Sequence, residues 1–452
     1  MALKTHSSSW TVSYLFQAID ASTVAIFRIV FGIIMVWETL RYAVYDRIEG
    51  YYIDPPVHFT YPLFGFVKAL PGDWMFLPFV VMGVTSFLIA LGLFYLPATI
   101  IFFLTYTYIF LIDSTQYNNH YYFICLLGLI LCTIKANACF SVDGKLKPEI
   151  HTNRVPYWQL YILQFQIVVV YFYGGIAKLN PDWLQGEPLR HWLEPEMFFL
   201  IEGWLTHEMW VYFLSYGGLF FDLLIGFGLL YSKTRVISVL LVLIFNLSNA
   251  FIFSIGVFPF LMIGTTVLFL NPEKVRAWLQ KWDFIKGRKN KKIKADLLVN
   301  PSLPVCLFLG VYCAVQLLLP FRHWLYPGNV SWNEEGHRFA WHMKLRSKRG
   351  DISYVVEDPV SGKEWRPDLE DDLTPRQIKK MAGRPDMILQ YAHLLRDRYI
   401  GEGVANPIVR AETFLSYNFR DPRPFIDPEA NLSKLEYSPW LSNNWILPFG
   451  KD

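Results

Sequence analysis

Long uninterrupted stretches of apolar residues constrain this chain more than any other feature of its sequence. Nine stretches approach the roughly 20 apolar residues that a helix needs to cross a bilayer. They cover residues 22–40, 75–96, 98–113, 120–136, 158–178, 210–231, 236–253, 256–271 and 301–321. Because lipid cannot pair free backbone N–H and C=O groups, each stretch is expected to be a helix.

The composition agrees with a membrane location. Only 17% of the 452 residues are charged, against about 25% in an average soluble protein. The net charge of +3 excludes a strongly basic nucleic-acid-binding protein, and the apolar content excludes a disordered one. The five cysteines form no CxxC pair, so no metal site is predicted. The partner that this composition predicts is a lipid membrane.

The basic residues between the stretches predict the orientation of the chain in the membrane. One set of loops carries sixteen of them and the opposite set carries five, and basic loops favour the cytoplasm. The larger set includes the run from Lys286 to Lys294. The N-terminus is therefore expected inside, and nine spans place the C-terminus outside. This means the periplasm for a bacterial inner membrane, or the lumen for the endoplasmic reticulum.

The predicted fold class is an all-α polytopic membrane protein with a small external α+β domain. Residues 1–321 form the transmembrane domain and residues 322–452 the external one. Residues 338–358 alternate in the manner of a strand, and IVRAETFLSYNF reads as another. A helix is expected to begin at Thr374 as its cap, with Pro375 at its first position.

Polar residues collect at the outer ends of three predicted spans. Asp113 ends the third, Asn119 and His120 begin the fourth, and Lys178 directly follows the fifth. The topology puts them at one face and similar depth, so they could converge on one pocket. Each also has an ordinary alternative: Lys178 could snorkel to lipid headgroups, His120 could be an interfacial histidine, and Asn119 could cap a helix.

Two glycines precede Lys178 by one turn. Gly174 and Gly175 weaken a helix, so they indicate close approach by another helix or by a ligand. Burial of Lys178 in an apolar pocket would favour its neutral amine, which could act as a general base.

At these residues the sequence resembles the vitamin K-dependent γ-glutamyl carboxylase family. Eight segments match in order, across about residues 20 to 400. They are YNNHYYF (117–123), CFSVDG (139–144), FQIVVVYFYGGIAKLNPDWLQG (165–186), RHW (190–192), FSIGVFPF (253–260), VQLLLPFRHWLYPGNVSW (315–332), FAWHMKLRS (339–347) and PDMILQYA (385–392).

The resemblance implies an activity. Such enzymes oxygenate vitamin K hydroquinone to its epoxide with O2, and the strong base so formed removes a γ-proton from a peptide glutamate. The carbanion then adds CO2 to give γ-carboxyglutamate, and no metal takes part. The implied partner is a glutamate-containing peptide or protein, whereas the oligomeric state stays open.

The resemblance also implies roles for single residues. By position, Lys178 matches the lysine that deprotonates the hydroquinone, and His120 the histidine of the carbanion and CO2 step. Asn119, Phe258 and Phe253 match the quinone site. In the same way Arg190, His191 and Trp341 are expected to bind the peptide substrate.

Departures from the family keep two rival hypotheses open. Asn246 stands where the animal enzymes have a histidine, Asn180 replaces an aspartate, and the region after the match is short, as in a bacterial form. One rival is a hydroquinone epoxidase that does not carboxylate. The other is a non-enzymatic protein that binds quinones or lipids.

Overall fold

The computed structural model describes residues 13–193, 206–253, 256–281 and 301–450. Nine apolar helices, numbered α1 to α9, run in sequence order. They are Ser22–Val44, Phe76–Leu91, Tyr95–Ile112, Asn119–Thr133, Trp158–Ala177, His207–Leu230, Arg235–Phe253, Phe258–Thr265 and Leu303–Leu318. Each corresponds to one predicted stretch.

Length separates these helices into two groups. Six are long and apolar enough to cross a membrane: α1, α3, α5 and α6, α2 with the 3₁₀ turn before it, and α9 with the 3₁₀ turn Leu319–Leu325 after it. The helices α4 and α8 are shorter, and so is Arg235–Phe251, the part of α7 whose side chains are described. The chain is therefore a mostly helical, multi-pass membrane protein. Six of the nine predicted spans are helices long enough to cross a membrane, and the number nine is not confirmed. The basic run from Lys286 to Lys294 lies outside the described residues.

A buried arginine joins α1 to the turn between α2 and α3. The Arg28 guanidinium donates hydrogen bonds to the carbonyls of Ile89, Ala90, Ala136 and Phe140 at 2.6 to 3.1 Å. Gly92, with φ of +63°, lies in that turn, and a Cβ there would come within 2.6 Å of the guanidinium. The Arg28 charge is thus stabilised by carbonyl dipoles, which offset the cost of its burial.

The two glycines at the end of α5 let α6 approach closely, as their sequence indicated. A Cβ on Gly175 would lie 2.7 Å from the backbone nitrogen of Leu223, and one on Gly174 would lie 3.3 Å from the Asp222 carboxylate. This contact positions the part of α6 that faces Lys178.

We expect Gly175→Ala to destabilise the protein, because the added methyl group meets backbone of α6 that cannot yield by a rotamer change. Overpacking of this kind costs about 1–3 kcal/mol. Gly217→Ala is the matched control, since a Cβ on Gly217 meets nothing within 4 Å. Thermal unfolding of purified protein should show a lower Tm for Gly175→Ala and an unchanged or higher Tm for the control. Equal behaviour of the two variants would contradict this packing.

The C-terminal region contains a small antiparallel sheet. Its strands are β3 (Lys348–Glu357), β4 (Glu364–Trp365), β5 (Ile408–Tyr417) and β6 (Arg423–Pro424), in the order β4-β3-β5-β6. A separate pair, β1 (Ala18–Asp20) and β2 (Arg154–Pro156), lies near the start of the chain. The helices α10 (Pro375–Met381) and α11 (Pro385–Gly401) lie between β4 and β5 in the sequence. Thr374 caps α10 in a capping box, which confirms the predicted start. The division into domains at residue 321 stays a prediction.

The predicted strand over 338–358 is wrong for its first half. Only Lys348–Glu357 is a strand, whereas the 334–347 loop turns repeatedly, with positive φ at Glu334, Phe339, Trp341 and Lys344. Contacts with α4 and with the residues just before it override the alternating pattern there. The Phe339 N–H donates to the Tyr117 hydroxyl at 2.6 Å, and the Trp341 ring packs 5.2 Å from the Tyr122 ring.

Polar contacts fix the C-terminal region to the helix ends. Asp182, just after α5, accepts hydrogen bonds from Arg420 at 2.6 Å and Asn418 at 2.8 Å. On the other side, Gln390 accepts from the Thr60 N–H at 2.9 Å. The 334–347 loop is thereby held against the ends of α4 and α5.

Candidate functional site

Lys178 forms a buried ion pair. It is the C-cap residue of α5, only 6% of it is exposed, and its ammonium lies against the Asp222 carboxylate of α6. The Lys178 Nζ also lies 5.4 Å from the centre of the Trp183 ring. The side chain therefore points into the protein, so the snorkelling alternative does not describe it.

Asp222 was missed by the sequence analysis. It lies in the middle of the run GGLFFDLLIG, and a carboxylate at membrane depth is costly enough to mark a functional or paired position. That signal could have identified it, although nothing in the spacing pairs it with Lys178. Gly174 leaves the room that its carboxylate occupies.

An apolar cavity of about 360 Å³ surrounds the pair. Its walls come from α5, α6, α7, α8 and the short helix Leu189–Trp192. Five aromatic side chains are among the residues that line it: Tyr171, Trp183, Trp192, Phe245 and Phe258. The apolar cavity thus offers flat apolar surfaces beside the Lys178–Asp222 pair, which suits a flat aromatic ligand with a hydroxyl group.

The apolar cavity reaches the outer surface of the helix bundle. Leu241 and Ile244 of α7 line it and are 45% and 62% exposed. Because this surface is apolar and belongs to a membrane protein, a lipid-soluble ligand could enter from the bilayer and leave its tail there.

The two departures near Lys178 have structural roles in this chain. Asn246 lines the apolar cavity and donates to the Tyr171 hydroxyl at 3.3 Å and to the Val242 carbonyl at 2.9 Å. Asn180 caps the helix Pro181–Leu184, since its Oδ1 accepts from the Trp183 N–H at 3.0 Å. Asparagine and aspartate cap helices about equally well, so the exchange at Asn180 leaves the position of Lys178 unaffected.

A second, basic cavity of about 570 Å³ lies beside the first. It is formed by the start of α4, the 334–347 loop, the start of β3 and α10. His120 and Asn119 line it from α4. Asp113, by contrast, lines neither cavity; it caps the turn Ser114–Gln116, where its side chain accepts from the Thr115 N–H at 2.8 Å.

Asn119 holds the 334–347 loop in place. Its Nδ2 donates to the His342 carbonyl at 2.8 Å, and its Oδ1 accepts from the Tyr117 hydroxyl at 2.9 Å. Asn118, not Asn119, is the N-cap residue of α4. The amide of Asn119 is thus used to join α4 to the loop, and the capping alternative does not apply.

The two cavities share a wall. Phe258 of α8 and Met343 and Lys344 of the loop line both of them. On the basic side the His120 ring lies 5.7 Å from the Phe258 ring, centre to centre. The sequence analysis allowed these residues to converge on one pocket, whereas among the described residues Lys178 lines the apolar cavity and His120 the basic one.

Other predicted residues lie outside both cavities. Arg190 binds the carboxylates of Glu187 and Glu208, the His191 ring stacks on Phe419 at 4.2 Å, and Trp341 is fully buried. Trp192, next to them in the sequence, lines the apolar cavity instead. Phe253 ends α7, and its side chain lies outside the described residues.

The described residues contain no group of three His, Cys, Asp or Glu side chains that could hold a metal ion. What they do contain is a concentration of positive charge. Seven lysine and arginine side chains line the basic cavity beside one carboxylate, Glu334. The chemistry available here is therefore binding of an anion next to an imidazole.

Comparison with known proteins gives two matches. The model of the HTTM domain matches residues 16–274, which is more than half of the chain. The model of the vitamin K-dependent gamma-carboxylase lumenal domain matches residues 302–452. No solved structure matches the chain. The first match contains α1 to α8, and the second contains α9, the 334–347 loop and the sheet.

Proposed function

The chain belongs to the vitamin K-dependent gamma-carboxylase family, and from that premise we propose that it is a vitamin K-dependent γ-glutamyl carboxylase. It would couple epoxidation of vitamin K hydroquinone by O2 to carboxylation of a peptide glutamate by CO2. The observation that carries the proposal is the wall shared by the two cavities. It separates a lipid-accessible apolar cavity containing Lys178 from a cationic cavity containing His120.

The apolar cavity fits vitamin K hydroquinone. Trp183, Trp192 and Phe258 provide apolar surfaces for a fused ring system, and the exposed Leu241 and Ile244 lie where an isoprenoid tail would enter the bilayer. When bound, the hydroquinone supplies, through its oxygenation, the strong base that removes the γ-proton of glutamate.

The Lys178–Asp222 pair can accept the proton of a hydroxyl group. Written as ammonium and carboxylate or as amine and carboxylic acid, the pair contains the same number of protons, and in the second form the amine of Lys178 can take up one more. The doubly protonated pair carries one positive charge, which offsets the negative charge left on the donor. The apolar walls exclude water and so strengthen this attraction.

The cations of the basic cavity can hold the glutamate side chain. A carboxylate near Lys344 would lie beside the shared wall and so close to the apolar cavity. The same positive charges would stabilise the additional negative charge that proton removal creates. His120, whose ring lies 5.7 Å from the Phe258 ring in this cavity, would act on the carbanion and CO2 step.

One assay separates the proposal from its rivals. Full-length protein in lipid nanodiscs would receive reduced vitamin K, O2, labelled CO2 and a glutamate peptide, and epoxide and fixed label would be measured. Both products are expected. Epoxide without label would mean a hydroquinone epoxidase, and quinone binding with neither product would mean a binding protein. Reactions without the reduced vitamin serve as the blank.

We further propose an external C-terminus and a cytoplasmic N-terminus, based on the distribution of basic residues. A reporter that is active only outside the cytoplasm, fused after Asp452, is expected to be active. The same reporter inserted after Lys147, in the basic loop between α4 and α5, serves as the control and should be inactive. The reverse pattern would contradict the orientation.

A further inference from the structure

The basic cavity has far more positive charge than one carboxylate ligand would balance. The side chains of Lys344, Arg346, Lys348, Arg349, Lys379, Lys380 and Arg384 line it, and Glu334 is the one carboxylate in its described lining. Like charges this close repel one another, so a cavity of this kind gains stability when anions enter.

Glu334 is already shared by three of these cations. Its carboxylate contacts Arg346, lies 3.0 Å from Lys348 and lies 3.6 Å from Arg384. Burial raises the pKa of Glu334, but these charges outweigh that effect and lower it well below its ordinary value. Burial also lowers the pKa of Lys348 to about 7, against the opposing effect of Glu334. An added anion would favour the protonated form of that lysine.

His342 contributes a neutral polar group to the same cavity. It is 7% exposed, and neither ring nitrogen has a hydrogen-bond partner among the described residues. Burial, with the charges of His323 and Arg346, lowers its pKa to about 3, so the ring is neutral near pH 7. A buried imidazole without partners is costly unless a ligand supplies them.

We propose that the basic cavity is a dicarboxylate site, which binds both γ-carboxylates of a carboxylated glutamate at once through Lys380, His342 and the neighbouring cations. The proposal rests on the carboxylase function, because that reaction converts one carboxylate into two on the same carbon. One carboxylate leaves most of the excess charge in place. The second carboxylate doubles the negative charge that the ligand sets against these cations. Because it lies on the same side chain, no further side chain has to be ordered, so the product should bind more tightly than the substrate.

Malonate and acetate test this idea directly. They reproduce the geminal dicarboxylate and the single carboxylate without the peptide, and their binding requires neither quinone nor O2. Isothermal titration calorimetry of the full chain in nanodiscs at one ionic strength should show malonate binding about tenfold or more tightly than acetate. Sulfate, a dianion of different shape, is the third probe. Equal affinities of malonate and acetate, or of malonate and sulfate, would overturn the proposal.

Two variants locate the site. Lys380→Gln removes a cavity cation whose described side-chain contacts include no ion pair, and His342→Asn shortens the neutral group. Each variant is expected to bind malonate about threefold or more weakly than the parent does. Lys434→Gln, on the exposed surface of the same region and outside the lining, is the matched control and should bind as the parent does. Parent-like affinity in both cavity variants would overturn the assignment to this cavity.

The malonate measurement and the carboxylation assay can fail separately. Malonate selectivity without carboxylation would support the dicarboxylate site and contradict the carboxylase function. Carboxylation without malonate selectivity would contradict the dicarboxylate site alone. Thermal unfolding of each variant without ligand identifies any loss of fold. For a variant that unfolds early, Lys379→Gln gives a second measurement from the same wall.

Discussion

Replacing Lys178 is expected to abolish epoxide formation and carboxylation together. The two activities share proton removal from the hydroquinone as their first step, and the Lys178–Asp222 pair is the ionisable pair that lines the apolar cavity. Loss of a general base lowers a rate by about 100-fold to 10,000-fold. Both products should fall by the same factor, because carboxylation cannot proceed without the base that oxygenation supplies.

Lys178→Arg is the most informative substitution. Arginine can keep the charge pair with Asp222, and therefore the fold, but its guanidinium stays protonated and supplies no neutral amine. Lys178→Met alone would leave a buried carboxylate without its partner, which costs about 3–5 kcal/mol. It is therefore best combined with Asp222→Leu, while Asp222→Asn tests the carboxylate separately. Epoxide would be measured on equal amounts of folded protein. If Lys178→Arg keeps most of the activity, Lys178 is a structural residue only.

His120→Ala is expected to reduce carboxylation far more than epoxide formation. Carboxylation should fall about 100-fold, whereas epoxide formation should change less than about threefold. The reason is position: His120 lines the basic cavity and touches the shared wall at Phe258, but it is not part of the apolar cavity's lining. Epoxide and incorporated label would be measured in the same reaction.

The competing explanation for His120 is a purely structural role in which it holds α4 against α8. In that case His120→Ala would lower both products in parallel, together with the Tm. His151→Ala replaces an exposed histidine that lines neither cavity, so it controls for the loss of an imidazole as such. A parallel loss of both products in a variant with the parent's Tm would reject the separate step for His120.

Hydropathy was sufficient to locate the helices. Every predicted apolar stretch became a helix, because lipid leaves the backbone of such a stretch no other way to pair its polar groups. Helix ends were less predictable. The stretch 120–136 became only Asn119–Thr133, since the length of a short helix depends on what covers its ends.

The candidate site was only partly predictable. Local sequence identified Lys178, His120 and the close approach at Gly175. It could not show that Asp222 lies against Lys178, because the two residues are 44 positions apart and only the packing of α5 on α6 joins them. The sequence also did not predict the division into two cavities. The wall between them includes part of the 334–347 loop, and the sequence pattern of residues 338–347 indicates a strand.

The conformation of the 334–347 loop has a consequence for substrate binding. Five of its residues have left-handed backbone conformations, at Glu334, Gly336, Phe339, Trp341 and Lys344. For residues other than glycine such conformations cost about 1–3 kcal/mol each, and they persist only where surrounding contacts determine them. Here Tyr117 and Asn119 provide those contacts. The site is therefore preorganised. The loop loses its conformational entropy when the protein folds, so binding of a peptide costs only the conformational entropy of the peptide itself.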